Sequence, residues 1–453
     1  MIHLRTFSGK KILVFGLGGS GLSTAKALQL SGSDVTAFDD NPASCEAARA
    51  ENVNVHDFRD LQLSSFDALV LAPGVPLTHP EPHWSVKLAQ ENDIEIIGDV
   101  ELFCRERRAV APNSLFIAIT GTNGKSTTTA LITHILKQAG HDVQMGGNIG
   151  RAVLTLDELS DDKTYVVECS SYQIDLSPSL DPTIGVHLNV SADHLDRHGT
   201  IENYASIKGR LINGADQGVV GIDDELSRNI ADLARLKGVA VTSVSLKRSA
   251  SYMVSGTEVL CDGVTVSKVE GIPSLRGDHN LQNAAVAHAV CSLSGLRDEQ
   301  IQAGFNSFPG LPHRMEQVDE NNGVFIINDS KATNADAAAK ALSSFDNIFW
   351  ILGGVPKAGG IDSLNRFFPK ILHAFLIGEA AEEFAKTLDG KVPFTHSGTL
   401  DDATKQALEM AKDFDHRTVE GSVAVLLSPA CASFDQFANF EIRGEAFKAS
   451  VLS

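Results

Sequence analysis

One stretch limits what this chain can fold into more than any other: SLFIAITGTNGKSTTTALITHILKQAG, from Ser114 to Gly140. Ser114–Thr120 is a short apolar run with β-branched residues and predicts a buried strand. From Ser126 onward the apolar residues Leu131, Ile132, Ile135, Leu136 and Ala139 recur at helical spacing, and Gly140 stands where a helix C-cap belongs. The turn between them, GTNGKST, holds two glycines, a lysine and hydroxyls at the helix start. Backbone N–H groups and the positive helix end suit an anion, Lys125 adds a mobile cation, and Ser126 or Thr127 can ligate Mg²⁺. A phosphate loop of the usual length has a glycine five residues before its second one, and that position is Ile119. The first glycine is Gly121, so this is a shorter variant. The bland alternative is a tight strand–helix turn with a chance lysine. The strand before it and the helix after it favour a nucleotide, ATP or a close relative.

A length of 453 residues suggests about three domains, and 43% hydrophobic residues provide ample core. With 38 Lys+Arg against 57 Asp+Glu the net charge is −19, which argues against nucleic acid or an anionic membrane surface as the main partner. Small anions remain possible, because a local backbone nest holds a phosphate on an acidic protein. Cys45, Cys104, Cys169, Cys261, Cys291 and Cys431 are scattered with no C-x-x-C pair, as expected of reduced thiols. No signal peptide is recognisable and no apolar run is long enough to span a bilayer. The expectation is a soluble, cytoplasmic, monomeric protein with no membrane partner.

The chain opens with a predicted strand, Lys11–Phe15, then GLGGSG (Gly16, Leu17, Gly18, Gly19, Ser20, Gly21), a helix through Leu30, and a strand Asp34–Phe38 ending at Asp39-Asp40. This is G-x-G-x-x-G in its βαβ setting, with Asp39 at the distance expected for gripping a ribose. Alone it says dinucleotide, yet the same loop can hold another nucleotide's diphosphate. A third strand, Ala68–Leu71, runs into Ala72, Pro73 and Gly74, either a ligand-facing turn at a strand's carboxyl end or a plain Pro-Gly turn. The charged run CRERR, within Glu101–Pro112, reads as the solvated face of a linker closing this domain.

Beyond the phosphate loop, GGNIG offers another close backbone approach with Asn148 as its polar handle. A strand Thr164–Val167 delivers Glu168 in ECSSYQ, and a strand Thr183–Val190 leads to SADHLDRHG with Asp193, His194 and Asp196. An acid at a neighbouring strand's end lies beside the phosphate loop and can hold Mg²⁺, whereas the alternative for Glu168 is an ordinary strand-end acid. His194 is either functional or a helix-start histidine paired with Asp193. Lys208 shares an apolar helix face with Tyr204, Ile207 and Leu211, so it either snorkels or has abnormal chemistry, since burial favours the neutral amine. Residues 240–272 read as short polar strands of a peripheral sheet. In HNLQN, Asn280 and Asn283 lie one helical turn apart after His279. The last third alternates strand and helix again: Val324–Ile327 into NDSKATN, a helix Ala335–Ser344, Ile348–Leu352 into GGVPKAGG, Phe375–Ile377 into GEA, and Val423–Leu427 into SPACASFDQFANFEIRG. Its strand ends present Asp329, Lys331, Lys357 and Ser433, as a second nucleotide-type domain would.

The ordered series GTNGKST, ECSSYQ, DHLDRHG, HNLQN, HR, DSKATN and SPACASFDQF resembles the Mur ligases, the ATP-dependent amide-forming enzymes of peptidoglycan precursor synthesis. The glycine-rich opening loop and the C-terminal motif resemble the D-glutamate-adding branch. No D-N-P-R-type signature of the diaminopimelate- or lysine-adding relatives is present. The resemblance implies an α/β fold of three domains: an N-terminal Rossmann-like domain for the UDP-linked substrate (1–103), a central P-loop ATPase-type domain on a mostly parallel sheet (104–309), and a C-terminal Rossmann-like domain for the incoming amino acid (310–453). It assigns Gly121, Thr122, Asn123, Gly124, Lys125, Ser126, Thr127, Asn280, Asn283, Arg314 and Asp329 to ATP. UDP-N-acetylmuramoyl-L-alanine falls to Gly16–Gly21, Asp39, Ala72–Gly74, Asn148 and Ser170, and D-glutamate to Lys331, Thr333, Lys357, Ser433 and Phe440. Two Mg²⁺ are implied, one on Glu168 with Ser126 or Thr127 and one on His194 with Lys208, the lysine being carbamylated by CO₂. The family route passes through an acyl phosphate, with Lys125, His194 and Lys208 as catalytic candidates and His194 as a candidate base for the amine. Ala358 after Lys357 and Gly19-Ser20 within the first loop depart from the family pattern. The rival readings are a sister ligase adding another amino acid, an NAD-dependent oxidoreductase, which leaves GTNGKST and DSKATN without work, and a regulatory nucleotide-binding module.

Overall fold

The computed structural model describes residues 1–357, 359–415 and 418–452. They form two units, Met1–Glu270 with Gln282–Ser307, and Gly271–Leu281 with Phe308 onward. The first unit contains two sheets. Strands β1 (Lys11–Phe15), β2 (Asp34–Phe38), β3 (Ala68–Leu71) and β4 (Glu95–Ile97) form a parallel sheet in the order β2-β1-β3-β4. The second sheet is built from β5 (Leu115–Thr120), β6 (Asp142–Gly147), β7 (Lys163–Glu168), β8 (Ile184–His187), β9 (Gln217–Gly221), β10 (Ala240–Ser245), β11 (Tyr252–Ser255), β12 (Glu258–Cys261) and β13 (Val264–Lys268). Its order is β13-β12-β11-β10-β9-β8-β5-β7-β6, with antiparallel pairing only among β11, β12 and β13. Strands β5 and β7 are buried from their second residue on, as strands of a parallel sheet covered on both faces are.

Three expectations need correction. The CRERR run is no solvated linker: it lies in the helix Asp99–Val110, where Glu101, Cys104, Glu106 and Arg107 are buried. Each buried charge has a partner distant in sequence. Glu106 accepts from the Thr6 N–H at 2.9 Å and hydroxyl at 2.7 Å, Arg107 meets Asp181 at 2.9 Å, and Glu101 takes the Ser179 N–H at 3.0 Å and the Arg105 Nε at 2.7 Å. Paired charges tolerate burial. The helix therefore ties the first sheet's flank to the second sheet. Second, residues 240–272 do not make a separate sheet; β10 pairs with β9 in parallel and carries the ladder outward. At the open edge the Gln302 side chain accepts the Lys268 N–H and donates to its carbonyl, closing what would be a free strand edge. Third, the strand expected over Thr183–Val190 ends at His187, because the next residues turn to serve the phosphate loop.

In the second unit, β14 (Glu316–Asn321), β15 (Val324–Asn328), β16 (Asn347–Gly353), β17 (Ile371–Ile377), β18 (Phe394–Gly398) and β19 (Val423–Leu427) are ordered β14-β15-β19-β16-β17-β18. Only β14 is antiparallel. The loops after β15, β16 and β19 therefore emerge at one carboxyl edge, where ligands of such sheets gather. Among the described residues no helix is long and apolar enough to cross a membrane.

Candidate active site

The phosphate loop stands where β5 meets the helix Lys125–Gln138. Gly124 caps that helix at φ +87° and no side chain caps its start, a backbone arrangement suited to an anion. A Cβ on Gly124 would lie 2.5 Å from Asn283 Oδ1, so only glycine lets the loop close on Asn283. Asn189 braces the loop from the end of β8: its carbonyl accepts the Thr122 N–H and its Oδ1 the Asn123 N–H, both at 2.9 Å. Lys125 Nζ folds back onto the Gly121 and Thr122 carbonyls, 3.0 Å from each.

Lys208, 1% exposed on the helix Ile201–Asn213, sends its Nζ to the same Gly121 carbonyl at 2.9 Å and lies 3.4 Å from Thr120 Oγ1. Two amines thus share one oxygen. Burial first, and the neighbouring Lys125 charge second, push the Lys208 amine well below its usual range. The snorkelling alternative fails, since the residue is only 1% exposed and its Nζ ends on the Gly121 carbonyl.

Glu168, 1% exposed, ends β7 directly beside the loop, because β5–β7 pairing sets it opposite Ile119. Its Oε1 accepts from Asn148 Nδ2 at 2.8 Å, while Oε2 has no partner. A buried carboxylate oxygen left unmatched next to a hydroxyl-bearing phosphate loop fits a hard cation. No group of three or more His, Cys, Asp or Glu able to hold a metal occurs among the described residues.

His194 begins the helix Leu195–His198 at φ +53°; its side chain is 48% exposed, 3.4 Å from Asp193, with its ring 5.2 Å from Tyr172. The histidine enclosed here is one the sequence reading passed over. His198 is 2% exposed, stacks on Tyr172, bonds the Ser171 hydroxyl at 2.8 Å, and is held near 4 by burial and then by His194 and Lys208. Its signal in the sequence was slight, one more polar residue in a polar loop.

In the first sheet, a Cβ on Gly21 would sit 1.7 Å from the Gly16 carbonyl oxygen, and one on Gly16, at φ +91°, 2.6 Å from Ala72 Cβ. Glycine-rich loop and Ala72–Gly74 turn are thus one packed surface. Gly18 caps the helix Gly19–Leu30 without a side chain, again suited to an anion. Asp39 also braces the loop, accepting the Leu17 N–H at 2.6 Å and the Asn41 N–H at 2.8 Å, one on each carboxylate oxygen. Arg197 reaches the Gly74 carbonyl at 2.9 Å and so joins this turn to the His194 segment. Ser170 forms a capping box with Gln173. Asp99 lies buried under the loop, its carboxyl pushed up by loss of solvent.

The second unit carries Asn280, Arg314 and Asp329 together with the residues expected for an amino acid. Asn280 Nδ2 donates to the Arg276 carbonyl at 2.9 Å. Asp329 accepts from Ser428 Oγ at 2.9 Å and Met315 N–H at 3.2 Å, and burial raises it to about 7. Lys331 Nζ lies 3.7 Å over the Phe440 ring, and the Thr333 N–H returns to the Lys331 carbonyl at 2.8 Å. Lys357 is exposed and Ser433 buried. Ala358 lies outside the described residues.

Three family models match in series: the Mur ligase MurD-like N-terminal domain over residues 10–98, the Mur ligase middle domain over 119–291, and the glutamate ligase domain of Mur ligases over 313–423. Curated proteins named UDP-N-acetylmuramoylalanine--D-glutamate ligase are similar over the whole length. The one from Agrobacterium fabrum is 56% identical, covering 100% of this chain and 97% of its own, and that from Chelativorans sp. 55% with the same coverage. Among solved structures, UDP-N-acetylmuramate-alanine ligase MurC from Thermotoga maritima superposes with a TM-score of 0.57 at 18% identity, covering 98% of this chain and 99% of that one. MurF from Acinetobacter baumannii gives 0.54 at 16%, covering 100% and 93%. These two speak to the fold alone. Models covering most of the chain and relatives above half identity agree with the geometry of the phosphate loop, and the chain belongs to the Mur ligase family.

Proposed function

We propose that this chain is an ATP-dependent ligase that joins D-glutamate to UDP-N-acetylmuramoyl-L-alanine in peptidoglycan precursor synthesis. The observation that carries the reading is the pair of amines, Lys125 and Lys208, on the Gly121 carbonyl, with the unmatched Glu168 oxygen on the neighbouring strand. That arrangement suits moving a phosphoryl group toward a carboxylate. A carboxylate oxygen of the UDP substrate attacks the γ-phosphorus, the bond to the ADP oxygen breaks, and an acyl phosphate results. The amine of D-glutamate then attacks the acyl carbon, gives up a proton, and phosphate leaves with one oxygen from the carboxylate.

Lys125 supplies the protein's own cation at the transferring group, and the loop amides hold the remaining phosphates. Glu168 with Ser126 or Thr127 would hold one Mg²⁺, and His194 with Lys208 a second; bound there, the ions neutralise charge building on the phosphoryl oxygens. Two cations cannot both rest on one carbonyl at low cost, so Lys208 serves as a neutral amine. Its nitrogen can add to CO₂ and lose a proton, and the carbamate would then offer oxygens to a metal in place of a positive charge. His194 is the candidate base for the amine, and Asn280, Asn283, Arg314 and Asp329 are assigned to the nucleotide. Gly16–Gly21, Asp39, Ala72–Gly74, Asn148 and Ser170 take the UDP substrate. Lys331, Thr333, Lys357, Ser433 and Phe440 take the amino acid, two lysines and a hydroxyl being suited to a second carboxylate. One copy of the chain carries all these residues, so a monomer in the cytoplasm suffices.

A phosphate-release assay with a panel of acceptors tests the reading. Release should require ATP, UDP-N-acetylmuramoyl-L-alanine and D-glutamate together. A better rate with L-alanine, lysine or diaminopimelate would overturn the choice of acceptor.

A further inference from the structure

Arg443 is the second largest of the fully buried side chains, 1% exposed on the helix Phe440–Val451, and among the described residues no carboxylate lies within ion-pair distance of it. A buried guanidinium without a counter-ion is costly and needs another reason to be there. Its neighbours supply one. Nε donates to Ser330 Oγ at 3.0 Å, and Nη2 donates to the Ser330 carbonyl at 2.8 Å and the Cys431 carbonyl at 3.1 Å. Nη1 has no hydrogen-bond partner and faces Gly354, where an added Cβ would lie 3.3 Å from it and 2.2 Å from the Ala432 carbonyl. Ser330 directly precedes Lys331, Cys431 stands two residues before Ser433, and Gly354 three before Lys357. The Ser330 hydroxyl continues to the Phe440 carbonyl at 2.8 Å, and the Phe440 ring carries Lys331.

We propose that Arg443 is a positioning and specificity-determining residue for the acidic acceptor: one fixed, buried fork gathers the three acceptor loops and adds a permanent positive charge beneath them. This rests on the assignment of those loops to D-glutamate. Only a planar fork reaches Ser330 and Cys431 at once, and lysine would keep the charge while losing the geometry. Burial lowers the guanidinium to about 10, so the charge persists at neutral pH. Asp435 is the acid whose charge the guanidinium feels, but the two form no ion pair, so part of its field is left for an anionic ligand.

Initial-rate kinetics on Arg443→Lys and Arg443→Met, with Trp350 emission reporting folding, test the proposal. Both should raise KM for D-glutamate about tenfold or more, with KM for ATP and for the UDP substrate within about twofold of wild type. Arg443→Lys should keep its preference for D-glutamate over the neutral analogue D-glutamine, and Arg443→Met should lose most of it. An unchanged KM for D-glutamate, or an equal fall in every kinetic parameter, would overturn the inference. If neither variant folds, Ser330→Ala decides: loss of the Nε acceptor should raise the same KM about threefold, and no change refutes the role. Lys331→Ala and Lys357→Ala separate the two levels. If they leave KM for D-glutamate unchanged, the acceptor assignment is wrong; if they raise it while the Arg443 and Ser330 variants do not, the brace alone is wrong.

Discussion

Replacing Asp329 with asparagine should remove a pH-dependent weakness from the second unit. Burial raises this carboxyl from 3.8 to about 7, with the Ser428 hydroxyl, the Met315 N–H and the Arg314 charge opposing the shift only in part. A raised carboxyl favours the neutral form in the folded state. Stability is therefore complete below the unfolded value and is lost as pH rises through the folded one. With those two values, the loss between about pH 5.5 and about pH 8 comes to about 2 kcal/mol. Asparagine cannot ionise. Its oxygen can keep the Met315 N–H, and its amide can donate to a rotated Ser428 hydroxyl. The chain has two tryptophans, and Trp350 Nε1 donates to the Ser428 carbonyl at 2.8 Å, so its emission reports this neighbourhood. In a Trp84→Phe background without nucleotide, urea unfolding should show the wild type weakening by about 2 kcal/mol more than Asp329→Asn over that pH range. Parallel pH dependences would refute the claim that Asp329 folds as a neutral acid.

Lys208→Ala should lose most activity, and acetate or formate should restore part of it by filling the carbamate's place. Lys208→Arg, a permanent cation of similar length, should stay inactive, and an active arginine variant would remove the second metal position from the account. Gly21→Ala drives a methyl into the Gly16 carbonyl, so KM for the UDP substrate should rise about tenfold or more while KM for ATP holds. Equal effects on both would deny the loop its separate substrate.

The strands Lys11–Phe15, Asp34–Phe38, Ala68–Leu71 and Val423–Leu427 were legible to the residue, because strands buried on both faces read as unbroken apolar runs between turn signals. The phosphate loop was legible because its glycines, lysine and hydroxyls answer a local need. What stayed hidden depends on distant partners. Arg107 lies inside the fold because Asp181 is there to meet it, 74 residues on, and Glu106 because Thr6 is, 100 residues back. No local pattern separates such charges from a solvated run. The polar strands after Ala240 looked peripheral since sheet membership is decided by the ladder with β9. Lys208 was marked by its apolar helix face, but its sharing of the Gly121 carbonyl with Lys125 needed the packed structure. Arg443 was hidden at the end of a motif whose other residues drew the attention.

The most direct test of the central claim follows one oxygen. UDP-N-acetylmuramoyl-L-alanine labelled with ¹⁸O in the alanine carboxylate is turned over with ATP and D-glutamate, and the released phosphate is examined by mass spectrometry. Transfer through an acyl phosphate predicts one carboxylate-derived oxygen in each phosphate. Phosphate free of label, with amide product formed, would contradict the account.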